Sequence, residues 1–422
     1  MSNINFTSFL LNLKDPNLHF SEKNYKLEII NGIETKIIEG TLKNKPDACP
    51  CCRHSKINIH GYKTSNIKIP PISEFNAILR LKKQRYKCQN CKKTFIAKTE
   101  IVKKNCYISN NTKAAIAISA SKKISEKDIA TRLNVSHNTV NRIINSFNNN
   151  YKVNYNYLPK VLCFDEFKST KTADGAMSFI YVDALKHRII DVVEDRRLDN
   201  LIRYFNRFTK KARNSVKFIV MDMYKPYVSL VKKCFRKAKI IFDKFHIVNS
   251  ISRALNKTRI KVMNNIKEFY NKFKKYYKLL LMDSDNLERN KLYWRRSFKK
   301  YMTQADIVNF LIEQDETLKH TYYLYQKLLS AIKNRNEIQL NKLIHSDLSN
   351  VSEYMKTSIK TLKKSKEYVI NSIKYGYTNG VIEGINNKIK AIKRIAFGYR
   401  SFYNFRNRIL IMNHLICIKK AV

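Results

Sequence analysis

Glycine and proline are scarce in this chain, which has 8 glycines and 7 prolines among 422 residues. Proline breaks helices because it lacks an amide proton and its ring clashes with the preceding turn. No proline follows Pro226, so the sequence permits long helices throughout the C-terminal half. Long apolar runs are missing too. The closest candidate, residues 409–418, is interrupted by Asn413 and His414, which argues against a membrane span.

Acidic residues are the other shortage. Asp and Glu number 33 against 82 Lys and Arg, a formal net charge of +49 that is spread along the chain. This charge favours a polyanionic partner. An anionic membrane would be the alternative, but it calls for an apolar span or an isolated basic amphipathic helix. The N-terminus has no cationic segment, apolar core or cleavage site of a signal peptide, so we expect a cytoplasmic protein without a membrane partner.

Cysteine, in contrast, is present in a pattern. Four of the nine cysteines form two C-x-x-C pairs, Cys49 with Cys52 and Cys88 with Cys91. Each pair can present two thiolates to a tetrahedral zinc ion, and two pairs complete a closed structural site. We therefore predict a zinc-binding domain over residues 46–98. Cys51 offers another register, His54 offers another fourth ligand, and unrelated free cysteines are the alternative to zinc.

A second module is predicted from the segment ISEKDIATRLNVSHNTVNRIINSF, residues 124–147. Ser125 and Ser136 are candidate N-caps of two helices with apolar residues at helical spacing, separated by a turn near Asn134. This pattern indicates a helix-turn-helix DNA-binding domain within residues 107–150, although a plain helical hairpin has the same spacing. The expected DNA-contacting residues lie at the start of the second helix: His137, Asn138, Asn141 and Arg142.

Residues 158–250 alternate apolar strands with helices in the order strand, strand, strand, helix, strand, helix, strand. This order matches the RNase H-like arrangement, an α/β fold. Two of the strands stop at an acid, VLCF at Asp165 and KFIVM at Asp222. Both carboxylates are therefore expected at one solvent-facing edge of the sheet. Other acids near strands remain alternatives to these two: Asp183, Asp191 and Asp243.

A third acid, Glu383, follows a glycine-flanked turn and opens a basic amphipathic segment. Helical spacing places it on one face with Lys390 and Arg394, although a solvated charged face would look the same. Several carboxylates held together can bind two Mg²⁺ ions about 3.5–4 Å apart, which activate the attacking oxygen and stabilise the leaving oxygen of a phosphodiester. The three acids therefore predict a two-metal phosphoryl-transfer site, and the basic charge indicates DNA as its substrate.

The segments FDEF, VMDMYKPY, FDKFHIVNSI and NGVIEGINNKIKAIKRIAFGYRSF resemble the DDE transposases of bacterial insertion sequences, in particular the ISL-three-type group. The resemblance covers most of residues 46–412 and includes the zinc-binding domain, the helix-turn-helix and a long gap before the last acid. It implies that Asp165, Asp222 and Glu383 form a catalytic triad that holds two Mg²⁺ or Mn²⁺ ions. These would drive hydrolysis at the transposon end and then strand transfer by the freed 3′-OH.

The resemblance also sets expectations for neighbours and partners. Asp243 and His246 match the family's D-x-F-H segment. They are either active-site neighbours or a structural pair at a strand end. Lys390 and Arg394 are further candidate active-site neighbours. The implied partners are double-stranded DNA, as terminal inverted repeats and as target, and further copies of the chain in a homodimer or higher oligomer. A bacterial, nucleoid-associated protein is implied. The alternatives are a non-catalytic zinc and helix-turn-helix regulator, or a structure-specific RNase H-like nuclease.

Residues 251–375 are rich in Lys and Arg, apolar at helical spacing and without strand patterns, which predicts a large all-α insertion. Trp294 is a candidate for stacking on an unpaired base, although aromatic residues at helical spacing usually pack in a core. The predicted domains are an N-terminal extension (1–45), the zinc-binding domain (46–98), the helix-turn-helix (107–150), the catalytic core (158–250), the insertion (251–375) and the C-terminal part of the core (376–422).

Overall fold

The computed structural model describes residues 6–13, 15–21, 24–147 and 151–416. The chain forms two compact units. The first comprises Met1–Lys152, Thr170–Ala173 and Asn387–Val422, and the second comprises Val153–Ser169 and Asp174–Asn386. Within the described ranges, no helix combines the length and the apolarity needed to cross a bilayer.

The first unit begins with a six-stranded sheet. Its longest strands, β4 and β5, form an antiparallel hairpin that turns at Ser73 and Glu74, both in the left-handed region that such tight turns require (φ 49° and 65°). Strands from the predicted N-terminal extension add to it, since β3 pairs in parallel with β5. The elements are α1 (Phe6–Leu10), β1 (Leu18–His19), β2 (Tyr25–Ile30), β3 (Ile33–Leu42), β4 (Ile57–Ile72), β5 (Phe75–Cys88) and β6 (Thr94–Ile96).

Three helices follow in the first unit: α2 (Asn110–Ala120), α3 (Glu126–Arg132) and α4 (His137–Ser146). Ser125 and Asp128 form a capping box at the start of α3, and the Ser136 side chain caps α4. Asn134 takes a left-handed conformation (φ 47°) in the turn between these helices. Ile129 and Val140 are fully buried in their shared core. These features are the ones the sequence pattern predicted.

The second unit contains a five-stranded sheet in the order β11-β10-β7-β8-β9. Strands β7, β10 and β11 are parallel, whereas β8 and β9 continue from β7 in antiparallel fashion. Phe164, Phe179 and Phe205 pack at the centre of the unit's core. The elements are β7 (Val161–Lys168), β8 (Met177–Asp183), β9 (Arg188–Val193), α5 (Leu198–Phe205), α6 (Lys210–Ser215), β10 (Phe218–Met221), α7 (Lys225–Cys234) and β11 (Lys239–Phe242).

The insertion is mostly helical, but the prediction that it is all-α was wrong. Tyr293 and Trp294 pair with Met302 and Tyr301 in a short hairpin, because β-favouring aromatic residues flank a turn in which Lys299 is left-handed (φ 53°). The elements are α8 (Lys244–Asn265), α9 (Tyr270–Lys275), α10 (Tyr277–Leu281), β12 (Tyr293–Arg295), β13 (Lys300–Met302), α11 (Gln304–Ile312), α12 (Glu316–Lys333), α13 (Glu337–Ile344), α14 (Glu353–Lys364) and α15 (Lys366–Tyr375).

The chain continues with α16 (Gly380–Ile395) and α17 (Phe402–Met412). Leu410 and Ile411 of α17 pack in one core with the helix-turn-helix residues. The buried Arg408 guanidinium donates to the carbonyl oxygens of Lys122 and Ile124. The sequence predicts that residues 376–422 belong to the catalytic core, whereas the structure groups residues from Asn387 onward with the helix-turn-helix. Helical periodicity shows that a helix buries one face, but it does not identify the partner.

Candidate active site and metal centre

The four predicted cysteines come together in the first unit. The sulfur atoms of Cys49, Cys52, Cys88 and Cys91 all lie within 4.8 Å of one another. Both C-x-x-C turns close in the same way. The backbone N–H of Cys49 donates to the His54 carbonyl, and that of Cys88 donates to the Lys93 carbonyl. Four convergent thiolates are the donor set of a closed tetrahedral zinc site, so the residues present fit a structural Zn²⁺.

The two alternative ligands are not part of this cluster. Cys51 is exposed, and its sulfur accepts a hydrogen bond from the Lys93 ammonium at 3.2 Å. His54 contributes its backbone instead of its ring: the pKa of the Cys52 thiol falls to about 6, chiefly because the His54 N–H donates to the sulfur. A lowered thiol pKa favours the thiolate, which is the form that binds zinc.

Three acids of the second unit lie at one level on adjacent parallel strands. Asp222 and Asp243 directly follow β10 and β11, whereas Asp165 lies within β7, opposite Ile180 of β8. The prediction that the first strand stops at Asp165 was wrong, because the polar residues after Phe164 continue the pairing with β8. Val220 of β10 lies opposite Cys163 of β7, so Asp222 and Asp165 each stand two residues further along. Met221 lies opposite Phe242 of β11, so Asp222 and Asp243 each follow by one residue. The carboxyl ends of β10 and β11 share one edge of the sheet, and the register of β7 brings Asp165 level with Asp222 at that edge.

Asn379 connects these strand ends. Its backbone N–H donates to Asp243 Oδ1 at 3.2 Å, and its Nδ2 group donates to Asp222 Oδ1 at 3.4 Å and to the Phe164 carbonyl at 3.3 Å. The next residue is the first of α16, and the Asn379 carbonyl accepts from the Glu383 N–H at 3.0 Å. Asn379 therefore fixes the start of the Glu383 helix against all three strands.

Asn386, one turn after Glu383, provides a second connection. Its Nδ2 group donates to Asp165 Oδ2 at 2.7 Å and to the Glu166 carbonyl at 3.5 Å. The side chain is buried, whereas Glu383 is exposed. Sequence reasoning missed both asparagines. The available signal was their spacing of three and four residues from Glu383 on a helix, which places all three on neighbouring positions of one face.

The protonation of the site follows from burial and charge. Burial raises the pKa of Asp165 to about 6, and the neighbouring Asp222 and Glu166 charges add to this effect. Burial also raises the pKa of Asp243, to which the Asp222 and Glu383 charges contribute. His246 Nε2 donates to Asp222 Oδ1 at 3.0 Å, and this bond raises the pKa of His246. The D-x-F-H residues thus lie beside Asp222.

The other two alternative acids have partners within the fold. Asp183 Oδ1 accepts hydrogen bonds from the backbone N–H groups of Leu185 and Lys186 in the turn after β8. Asp191 Oδ2 accepts from the Tyr204 hydroxyl at 2.6 Å, and Asp191 is almost fully buried. Side chains engaged in this way stabilise the sheet and its connections.

Glu166, directly after Asp165, was also missed. Its carboxylate accepts from the Tyr227 hydroxyl at 2.6 Å and from Arg196. The Arg196 guanidinium in turn stacks on the Tyr224 ring, 5.0 Å from its centroid. The sequence FDEF does not show which of its two acids belongs to the site. The fold places Asp165 beside Asp222 and leaves Glu166 bonded to Arg196.

The donor set beside β7 and β10 fits a hard divalent cation. It consists of carboxylates, and the amide oxygens of Asn379 and Asn386 are buried without a hydrogen-bond partner. The carboxylate oxygens of Asp165, Asp222 and Glu383 do not all lie within 4.8 Å of one another. Within the described ranges, the four cysteines are the only set of three or more His, Cys, Asp or Glu side chains whose ligand atoms come that close. Asp165 is held by Asn386 and Asp222 by His246, which fixes two of the three carboxylates in place.

The predicted DNA-contacting residues of α4 differ in availability. His137, Asn138 and Arg142 are exposed. Asn141 is half-buried, donates to Glu126 Oε2 at 3.2 Å and accepts from Asn404 of α17 at 3.4 Å. Further along α16, Lys390 and Arg394 are exposed, two and three turns beyond Glu383. Trp294 is 56% exposed on the insertion hairpin and contacts the Tyr301 ring, so it is not a core residue.

Comparison with known families gives one consistent result. Residues 162–409 match the ISL3 model of DDE transposases. Residues 45–91 match the zinc-finger of transposase IS204/IS1001/IS1096/IS1165, and residues 97–148 match the helix-turn-helix domain of transposase family ISL3. Since the first match covers more than half of the chain, the protein belongs to the ISL3 transposase family. The predicted order of zinc-binding module, helix-turn-helix and transposase domain is confirmed.

Two individual relatives share 30% and 24% sequence identity with parts of this chain. A Lactococcus lactis subsp. lactis protein named an ATP-dependent protease is 30% identical over 175 residues, which cover 40% of this chain and 55% of that protein. The transposase for insertion sequence element IS1001 of Bordetella parapertussis is 24% identical over 243 residues, 57% of each chain. The chain thus spans a little over half the length of these relatives.

Proposed function

We propose that this chain is a DDE transposase that binds the terminal inverted repeats of its element and catalyses Mg²⁺-dependent DNA cleavage and strand transfer. The observation that carries the proposal is the arrangement of the three acids. Asp165 and Asp222 stand at one level on adjacent parallel strands, and the helix that begins just before Glu383 is tied to both through Asn379 and Asn386. Family membership supports the same activity.

The proposed catalytic domain is RNase H-like. Three antiparallel strands, β7 to β9, are followed by two strands that extend the sheet in parallel on the other side of β7. This topology places the first strand at the centre, with one acid on it and one after its parallel neighbour. Helices α8 to α15 then intervene before the third acid.

Asp165, Asp222 and Glu383 would hold two Mg²⁺ ions, with Mn²⁺ as a substitute. When bound, the ions would activate the attacking oxygen and stabilise the leaving oxygen of the phosphodiester. Asn386 orients the Asp165 carboxylate, and His246 orients that of Asp222. His246 is a positioning residue in this scheme, and Asp243 anchors Asn379.

The first unit would recognise the transposon end. A structural Zn²⁺ on the four cysteines would stabilise the β4–β5 hairpin base, and α4 would meet DNA through His137, Asn138 and Arg142. Asn141 would support this helix from within, because its amide is already bonded to Glu126 and Asn404. Assembly as a homodimer or higher oligomer on DNA and a cytoplasmic, nucleoid-associated location remain predictions.

A nucleotide-dependent protease activity is not proposed on the strength of the Lactococcus relative's name. The chain has no G-x-x-x-x-G-K-[ST] phosphate-binding loop. The proposal instead predicts that the purified protein, given Mg²⁺ and a labelled duplex of the terminal repeat, nicks the end and joins the 3′-OH to target DNA. Specific binding without cleavage would favour the regulator, and cleavage without joining would favour the nuclease.

A further inference from the structure

A cleft of about 530 Å³ opens beside Asp222 in the second unit. One wall is α8, which contributes Asn249, Arg253 and Lys257. The other wall is α14, which contributes Tyr354, Thr357 and Thr361. A hydrogen bond of 2.8 Å between the Ser250 and Ser358 hydroxyls joins the two helices along the cleft.

The charge in this cleft is divided between its ends. The only carboxylates that line it are those of Glu166 and Asp222, at the catalytic end. Away from them every charged residue of the lining is cationic, and α8 has no acidic residue in its 22 positions. Neither Arg253 nor Lys257 forms an ion pair with the described part of the chain. Lys257 instead faces the Tyr354 ring, 5.7 Å from its centroid.

The spacing of the polar groups is regular. Asn249, Arg253 and Lys257 occupy successive turns of α8, about 5.4 Å apart. Thr357 and Thr361 are one turn apart on α14, and both are exposed, as are Arg253 and Lys257. A row of cationic and amide side chains on α8 faces a row of hydroxyls on α14, and both lead away from a carboxylate site, which suits a ligand with repeated anionic groups. A metabolite with one anionic group would use only one end of these rows.

We propose that this cleft binds the phosphodiester backbone of a single DNA strand next to the scissile phosphate. Arg253 and Lys257 neutralise successive phosphates. The hydroxyls of Thr357 and Thr361, which donate to the Glu353 and Thr357 carbonyls in the free protein, turn to donate to phosphate oxygens when the strand binds. The cleft volume of about 530 Å³ is that of a site for one compact ligand, so we expect a short stretch of one strand, about two nucleotides, to enter and not a duplex. This inference rests on the proposed function, since it takes Asp222 as part of the cleavage site.

Crosslinking tests the location directly. A photoreactive amino acid at Thr361 is compared with the same group at Lys360, which is exposed on α14 but does not line the cleft. The DNA is a labelled transposon-end duplex, and EDTA replaces Mg²⁺ so that no chemistry is needed. We expect the Thr361 probe, and not the Lys360 probe, to crosslink within about two nucleotides of the scissile phosphate. Equal crosslinking by both probes, or none, overturns the proposal.

Charge removal tests the energetics. The Arg253→Gln/Lys257→Gln protein should cleave about tenfold less than the parent or worse, because one charge-assisted contact is worth about 1.4 kcal/mol or more. Lys261→Gln/Lys360→Gln removes the same charge outside the cleft and should cleave normally. Arg253→Lys/Lys257→Arg should recover most activity. A gel-shift on the end duplex monitors folding, and equal cleavage by the two Gln pairs contradicts the cleft assignment.

The two proposals fail differently. If the parent protein cleaves and joins ends but the Thr361 probe does not report the strand, the cleft proposal is wrong and the transposase proposal stands. If the probe crosslinks but Mg²⁺ produces no cleavage, the cleft holds DNA and the proposed chemistry is wrong. Should the double Gln protein fail to fold, the crosslink, which leaves Arg253 and Lys257 intact, gives the decision.

Discussion

At the scale of single residues, the candidate site depends on two asparagines as much as on its acids. Burial raises the pKa of Asp165, and repulsion from the neighbouring Asp222 carboxylate adds to this effect. Amide groups from Asn379 and Asn386 donate to Asp222 and Asp165 and so offset part of this repulsion. They also keep the first turns of α16, which carry Glu383, against the sheet.

This arrangement predicts a phenotype for Asn386→Ala. Asp165 Oδ1 would keep the Glu166 N–H, but Oδ2 would lose its Asn386 donor. The Mg²⁺ concentration for half-maximal cleavage should then rise about 10–100-fold, as is typical when a partner of a metal ligand is removed. The measurement is a Mg²⁺ titration of cleavage of the end duplex. Asn387→Ala, at the exposed neighbouring position, is the control. An unchanged Mg²⁺ requirement in Asn386→Ala would show that the hydrogen bond has no such role.

The acids could be proposed from the sequence because each ends an apolar run or opens an amphipathic helix. The asparagines could not, because their partners Asp165 and Asp222 are more than 150 residues away along the chain and no local pattern records them. For Asn141, the sequence predicted exposure that the structure does not show in full. Its position on α4 predicts exposure, but Asn404 of α17 covers it, and this contact depends on packing that helical periodicity does not encode.

At the scale of elements, α17 acts as an additional helix of the helix-turn-helix bundle. Arg408→Ala would remove the guanidinium that bonds to the carbonyl of Ile124, just before α3, while the Lys122 carbonyl would keep the Ile124 N–H as a donor. An unsatisfied buried polar group costs about 1–3 kcal/mol, so thermal unfolding should shift downward and end binding should weaken. The exposed Tyr403 of the same helix, changed to Ala, is the control. Equal melting temperatures for the two variants would argue against this role of Arg408.

The zinc module gives a second prediction at this scale. Chelation of zinc, or Cys88→Ser with Cys91→Ser, should unfold residues 46–98 and weaken end binding, because closed Cys₄ sites supply folding energy. Mg²⁺-dependent nicking of nonspecific DNA should persist. Cys51→Ser is the matched control, since Cys51 lies within the same turn but outside the cluster. Elemental analysis that found no stoichiometric zinc would rule out the site.

Strand and helix positions followed from periodicity wherever one face is buried. The strand before Asp222 and the two capped helices of the helix-turn-helix are examples, whereas β7 continues three residues past the predicted end at Asp165. Two features of the fold were not predicted from the sequence. The β12–β13 hairpin is too short for a period-2 pattern to stand out among Lys and Arg. The N-terminal strands join the zinc module's sheet through parallel pairing of β3 with β5, a non-local contact with no sequence mark.

At the scale of the whole molecule, the net charge of +49 should dominate affinity. Each Lys or Arg that neutralises a phosphate releases counterions, and about ten such contacts give a slope near −9 in a plot of log affinity against log salt concentration. A salt titration of binding to the end duplex measures this slope. A slope near zero would mean that the charge serves something other than DNA.

The central claim is that Asp165, Asp222 and Glu383 act together in catalysis. Replacing each singly with Asn or Gln keeps size and hydrogen bonding but removes the charge that holds Mg²⁺. The control is Asp191→Asn, at a buried acid bonded to Tyr204, which should retain cleavage.

The deciding measurement is Mg²⁺-dependent cleavage of a labelled transposon-end duplex by the Glu383→Gln protein, with a gel-shift on the same DNA. We predict that binding persists while cleavage and strand transfer both collapse. Retained cleavage by Glu383→Gln would contradict the assignment of the triad.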